Sequence, residues 1–345
     1  MLHRSLSMRS SLCTVSFRRQ YPRYLYPGKD DRDPEYMGYS EPDVQYVIDS
    51  LNPVTWKKAC RILMNCSPQL VIIVWCTFFG APYLGFMARY FRKRGVQVMF
   101  LCHNVIDHEA SFWKVELCRR ALSKGNVFCV HTNREKEKLG QLVPGAQVLV
   151  HPHPVYKQFP PAKVNLPRRA KLELLFFGFV RRYKGLDVLV DSLSFLKEED
   201  IFLSVVGEWW ERDAVLINML KNTSLPSRVE VVDRYVSEEE AANYFCRADA
   251  VVLPYRSATG TGVIPLAYHY GKPVIAAKTG GIPEVVMDGV SGRLFEAENP
   301  YALAEVIREF LHTSAESMRE GVRKVAEKMT WDSLAECILN TIGRR

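Results

Sequence analysis

Arg181, Arg182 and Lys184 follow an apolar run at residues 172–177 and are closed off by Gly185. Cations this close repel one another unless an anion or solvent relieves them. Arginine offers a planar fork for phosphate oxygens and lysine a point charge, so the chemistry indicated is phosphate binding. A second stretch, residues 253–288, reads LPYRSATGTGVIPLAYHYGKPVIAAKTGGIPEVVMD. Arg256, Ser257, Thr259 and Thr261 bring charge and hydroxyls to its loop, and Gly262 and Val263 open a helix. A helix start presents N–H groups and the positive dipole end, which suits an anion. Capping alone explains Thr261 but not the glycines on both sides of it. Glu284 opens a further helix after Gly280-Gly281-Ile282-Pro283, where it either complements the dipole or holds a ribose hydroxyl. Gly207 and Glu208 end another apolar run, either as a close backbone approach to a ligand or as a plain turn. His103, with Asn104, His108 and Glu109, follows residues 96–102. It is a candidate proton handler or hydroxyl partner, or a satisfied histidine in a polar loop. The pair His151 and His153 is split by a proline, with no carboxylate or Cys at metal-ligand spacing, so no metal is expected.

These residues need strands that end together. The pattern predicts strands at 12–17, 69–75, 96–102, 127–131 and 146–150. They alternate with helices at 53–63, 82–94, 112–122 and 133–142, which reads as a parallel α/β sheet. Residues 151–169 hold five prolines and little periodicity, and make the linker. The alternation then restarts. Strands are predicted at 172–177, 201–206, 229–232 and 250–254, with a further apolar strand after Gly271, and helices at 186–196, 213–221 and 263–270. A capping box, Ser237 with Glu240, starts another helix, and three more occupy 300–311, 315–329 and 331–342. The expected domains are 12–155 and 170–329, with 330–345 a terminal helix returning to the first domain. A ligand is expected in a cleft between the domains.

Composition is that of an ordinary globular chain, 48% apolar and 24% charged over 345 residues. No apolar run approaches the ~18–20 residues of a membrane span. Nine scattered cysteines without a C-x-x-C pair favour reduced thiols and a cytoplasmic location. The net charge of +8 fits a solvated surface, or attraction to phosphorylated ligands or an anionic membrane face. No long basic block or RNA-binding motif points to nucleic acid. Residues 1–29 lack Asp and Glu, as a transit peptide would, but the strand at 12–17 favours the start of a domain.

The segments FGFVRRYKGLDVLVDSL, VVGE, GVIPLAYHYGKPVIA, TGGIPEVVMDGVSGRLF and MTWDSL together resemble glycosyltransferase family 4, the glycosyl transferases group 1. The resemblance implies a GT-B fold of two Rossmann-like domains. Its function would be retaining transfer of a hexose from a UDP- or GDP-linked nucleotide-sugar to a glycan or lipid-linked acceptor. It also implies no metal or other cofactor, and a place in cell-envelope polysaccharide synthesis, in the cytoplasm or at the inner face of the plasma membrane as a peripheral protein. In that family Lys184 matches the lysine on the donor diphosphate. Arg181 is the nearest candidate for its arginine partner, Phe179 standing at the usual place. Gly262 and Val263 match the helix start facing the phosphate, and His103 matches the histidine facing the transferred sugar. Two departures stand out. Ala258 and Leu266 occupy positions where the family often carries glutamates. The strand, Gly-rich loop and helix that would open a family member do not precede residues 12–17, so the first domain is expected to be incomplete. A second expectation is therefore an impaired homologue acting as a nucleotide-binding or scaffold protein. A sugar-nucleotide epimerase would need cleft carboxylates, for which only Glu109 and Glu208 offer.

Overall fold

The computed structural model describes residues 1–21, 41–106, 111–210, 216, 220, 228–313 and 315–342. His108, Glu109, most of the helix expected at 213–221 and residues 22–29 lie outside the described residues. The chain divides into two compact units, Met1–Pro152 with Trp331–Arg345, and His153–Thr330. Among the described residues no helix is long and apolar enough to cross a membrane.

The first unit is built from α1 (Leu2–Ser7), β1 (Thr14–Arg19), β2 (Val44–Asp49), α2 (Pro53–Asn65), β3 (Leu70–Trp75), α3 (Ala81–Arg92), β4 (Gln97–Cys102), α4 (Phe112–Leu122), β5 (Val127–Val130), α5 (Asn133–Leu142) and β6 (Gln147–Val150). All pairings are parallel. They form two separate sheets, β1-β2 and β3-β4-β5-β6. Local chemistry sets the helix starts. The Asn52 side chain accepts from Val54 N with Pro53 at the first position, and Thr132 Oγ1 accepts from Glu135 N. The core joins Val71, Ile73, Trp75, Phe91, Phe100 and Phe128 to the inner faces of α2, α3 and α4. On the other face α12 (Trp331–Leu339) sets Leu334 and Ile338 against Met99, Leu101, Val127 and Cys129. The returning helix is held further by Arg9 on Asp332 (2.8 Å) and by the Ser333 hydroxyl donating to His151 Nε2 (2.9 Å).

The second unit carries β7 (Leu172–Phe177), α6 (Leu186–Ser192), β8 (Ile201–Val206), β9 (Val229–Val232), α7 (Glu238–Arg247), β10 (Ala250–Leu253), α8 (Val263–His269), β11 (Val274–Ala277), α9 (Ile282–Val285), β12 (Gly292–Phe295), α10 (Pro300–Leu311) and α11 (Ala315–Ala326). Its six strands run in the order β12-β11-β10-β7-β8-β9, all parallel. Counted within the unit this is 6-5-4-1-2-3, the doubly wound Rossmann order. The strands are apolar runs because helices cover both faces. The helix expected at 186–196 stops as an α-helix at Ser192 and tightens into a 3₁₀ turn, Leu193–Phe195. Three elements are absent from the sequence pattern: α1, β2 and β12. The last is a four-residue strand, Gly-Arg-Leu-Phe, too short and mixed to show a period; it is extended because β11 pairs with it.

Candidate active site

β7 and β10 lie side by side at the centre of the six-stranded sheet. From β7 the chain winds outward through β8 and β9; it then returns to β10 and winds the other way. This reversal leaves a crevice at the carboxyl ends of the two strands, where doubly wound sheets bind ligands. The loops leaving those ends are 178–185 and 254–262, and they are tied together. Arg256 N donates to Tyr183 O (2.8 Å), and Arg256 Nη1 donates to Arg182 O (2.9 Å). The tie depends on Gly185. Its φ is +66°, and a Cβ there would stand 2.0 Å from Pro254 O.

Lys184 is the centre of this arrangement. It ends a 3₁₀ turn, Arg182–Lys184, is buried, and its Nζ lies against Gly178 at the end of β7, 3.2 Å from where a Cβ would be. Burial and the neighbouring Arg181 cation lower its ammonium to about 8. A buried cation with a second cation beside it is relieved by an anion. Tyr255, itself buried, turns its ring toward Nζ (5.7 Å). Arg181 lies near the rings of Tyr183 (5.4 Å) and Trp210 (5.6 Å), and Phe179 packs against Trp210 with ring centroids 4.3 Å apart and planes tilted by 35°. This aromatic shelf was not singled out from the sequence. Its signal was the doublet Trp209-Trp210 directly after Gly207 and Glu208. Gly207 N donates to Val232 O, and Glu208 O accepts from Val180 N, which stitches the end of β8 to the Arg181 loop.

Across the crevice Thr261 Oγ1 accepts from Val263 N (3.2 Å) and lies 3.4 Å from Tyr255 Oη. Gly262 is exposed just before α8, with the Tyr156 hydroxyl 3.0 Å from its Cβ position. Thr259 is buried and Ser257 half-buried. Gly280, at φ +60°, brings the next loop onto this one: a Cβ there would stand 1.5 Å from Ala258 O. Glu284 is exposed on α9 after β11, one strand further from the switch point. Arg256, expected to face an anion, holds Asp187 with two bonds (2.8 and 2.6 Å) and reaches Glu298 at 3.2 Å. Its charge is answered within the protein, and it braces the loop to α6. Ala258 and Leu266 are buried in the core of the unit, so their side chains pack instead of offering hydroxyl contacts.

In the first unit His103 follows β4. The loop behind it is pinned at Val105, whose N–H donates to buried Glu135 (2.6 Å) and whose carbonyl accepts from Trp75 Nε1 (3.3 Å). His103 Nδ1 lies 3.2 Å from His131 Nε2, and His131 Nδ1 lies 2.9 Å from His151 O. A carbonyl only accepts, so His131 carries its proton on Nδ1 and its Nε2 accepts from His103 Nδ1. With both rings neutral, His103 Nε2 is then the acceptor nitrogen. His131 follows β5 directly and was missed in the sequence, where a histidine after a strand carries no pattern of its own.

Residues 171–313 match the family model described as glycosyl transferases group 1. A D-inositol 3-phosphate glycosyltransferase of Streptomyces avermitilis is 32% identical over 212 residues, which are 55% of this chain and 45% of the relative. The chain therefore spans less than half the length of that relative. Among solved structures, sucrose-phosphate synthase from Thermosynechococcus elongatus aligns with a TM-score of 0.71 at 18% identity, over 99% of this chain and 90% of that one. Anabaena HepE in complex with UDP aligns with a TM-score of 0.68 at 16% identity, over 88% and 86%. At these identities the structures bear on the fold, which is that of the GT-B glycosyltransferases with two Rossmann-like domains. The match to the glycosyl transferases group 1 therefore falls within the doubly wound second unit, and that part of the chain is similar to the family.

Proposed function

We propose that this protein is a retaining, metal-independent hexosyltransferase that moves a sugar from a UDP- or GDP-linked donor to a glycan or lipid-linked acceptor. The observation that carries this reading is the buried Lys184 ammonium beside Arg181 at the switch point of the second unit. The bond between the anomeric carbon and the diphosphate oxygen breaks, and its electron pair leaves with the diphosphate. Lys184, Arg181 and the N–H groups at Gly262 and Val263 stabilise that charge as preorganised donors. The acceptor hydroxyl oxygen bonds to the anomeric carbon on the face the leaving group vacates, and its proton passes to the departing diphosphate oxygen. His103 Nε2, as the acceptor nitrogen, would hold a hydroxyl hydrogen. Support for a uridine donor comes from the HepE structure with UDP. The test is calorimetry. The intact chain is expected to bind UDP or GDP, and Lys184→Ala to weaken binding by about 1.5–3 kcal/mol, the worth of a charge-assisted bond. Unchanged affinity, or no binding by either protein, would overturn the assignment.

The burial of Ala258 and Leu266 favours a second reading, a nucleotide-binding homologue without transfer activity. Sugar release from a nucleotide-sugar by the intact chain, abolished in Lys184→Ala, separates the two.

A further inference from the structure

From position 50 to position 106 the sequence holds seven Lys and Arg residues and no Asp or Glu. The fold gathers most of this stretch into one layer, because α2 packs beside α3, and α3 beside α4. The buried sides of these helices are apolar: Ala59, Cys60 and Leu63 on α2, and Leu84, Met87 and Phe91 on α3. The outer side of α2 carries Val54, Lys57, Lys58 and Arg61, all exposed. On α3 and just beyond it, Phe86, Arg89, Arg92, Lys93 and Arg94 are exposed. Among the described residues none of the seven basic groups is ion-paired. On α4 the carboxylate of Glu116 is shared by Arg119 and Arg120, so that helix face is also net positive. Ordinary surfaces intersperse both signs; from position 50 to 106 this one carries only positive charge.

Large apolar groups stand among these charges. Phe112 is 87% and Trp113 59% exposed at the start of α4. Trp113 meets Phe78 edge-on (5.7 Å), and Lys114 Nζ lies 4.8 Å from the Phe78 ring. Where α2 meets α3, Trp56, Phe86 and Tyr90 form a ridge with ring separations of 5.9 and 6.5 Å, and Arg94 covers Tyr90 at 3.6 Å. A double-stranded nucleic acid would use the charges but leave Phe112 and Trp113 in water. An anionic bilayer uses both: aromatic rings settle at the headgroup level, and Lys and Arg pair with lipid phosphates.

We infer that the outer face of α2, α3 and α4 is a docking surface for an anionic lipid bilayer, with Phe112 and Trp113 entering the interface. The inference concerns the first unit and does not rest on the donor site of the second.

The experiment is co-flotation of the intact chain with vesicles of phosphatidylcholine, with and without phosphatidylglycerol. Binding is expected only with the anionic lipid, and to fall as ionic strength rises. The double variant Phe112→Ser, Trp113→Ser should lose most of the binding while keeping its far-ultraviolet circular dichroism. Lys57→Gln and Arg89→Gln should each weaken binding roughly fivefold. The proposal is overturned if the chain ignores anionic vesicles, binds neutral ones equally well, or binds unchanged in all these variants.

Discussion

Lys184 and His103 are suited to different chemistry because their surroundings differ. Lys184 is desolvated and faces Arg181, so its ammonium is lowered to about 8. A diphosphate needs the charged form. Nucleotide affinity should therefore hold below about pH 8 and fall above it, by about tenfold at one pH unit beyond the lysine pKa. Calorimetry across that range checks this, and a flat profile would mean that Lys184 does not touch the anion. Stability runs the other way. The unfolded lysine titrates near ~10.4, so above about pH 8 the unfolded chain holds the extra proton. The destabilisation from Lys184 is full below about pH 8 and is relieved as pH rises toward the unfolded value. For His103 the decisive neighbour is His131. His131→Leu removes the acceptor that fixes the His103 tautomer and should lower kcat about 10–100-fold with the donor KM unchanged. His131→Asn, whose side-chain oxygen can accept from Nδ1, should recover part of the loss. Equal turnover in wild type and His131→Leu would remove His131 from the mechanism.

At the scale of elements, the site depends on two loops leaving adjacent strands and closing on one another. Gly185 sits where they touch. Gly185→Ala places a methyl group into Pro254 O at a backbone angle that L residues avoid. It should cost about 2 kcal/mol or more of stability in urea denaturation, and weaken UDP or GDP binding as the Arg181–Lys184 loop shifts. Retained stability and affinity would show that the two loops move independently. The sequence made the basic loop, the glycines and most strands readable, because apolar runs and cap residues are local signals. It did not make Arg256 readable. Its type and place suggested an anion, but Asp187 and Glu298, distant in the chain, take its charge. Nor did it reveal the shelf of Phe179, Tyr183 and Trp210 around Arg181, which exists only once β7 and β8 lie side by side.

At the scale of the molecule, the first unit is completed by the end of the chain. Leu334, Ala335 and Ile338 on α12 are fully buried, and with them the second face of β4 and β5. A chain ending at residue 330 would expose that face. Burial of two such aliphatic side chains is worth about 1.5–3 kcal/mol each, so the first unit should melt markedly earlier. The second unit has cores of its own and should keep its transition. Differential scanning calorimetry distinguishes the two, and an unshifted profile would show that α12 contributes nothing to the first unit.

The sequence by itself determined the α/β alternation, the proline-rich stretch between its two runs, and the clustered cations of the loop 181–185. Each is written in neighbouring residues: apolar period, proline density, clustered charge. The tertiary structure alone decided that the charge of Arg256 is answered within the protein. It also decided which histidine fixes the tautomer of His103, and that basic residues scattered over residues 57–94 form one face. Those outcomes depend on contacts between residues far apart in the chain, and no local pattern encodes such a contact.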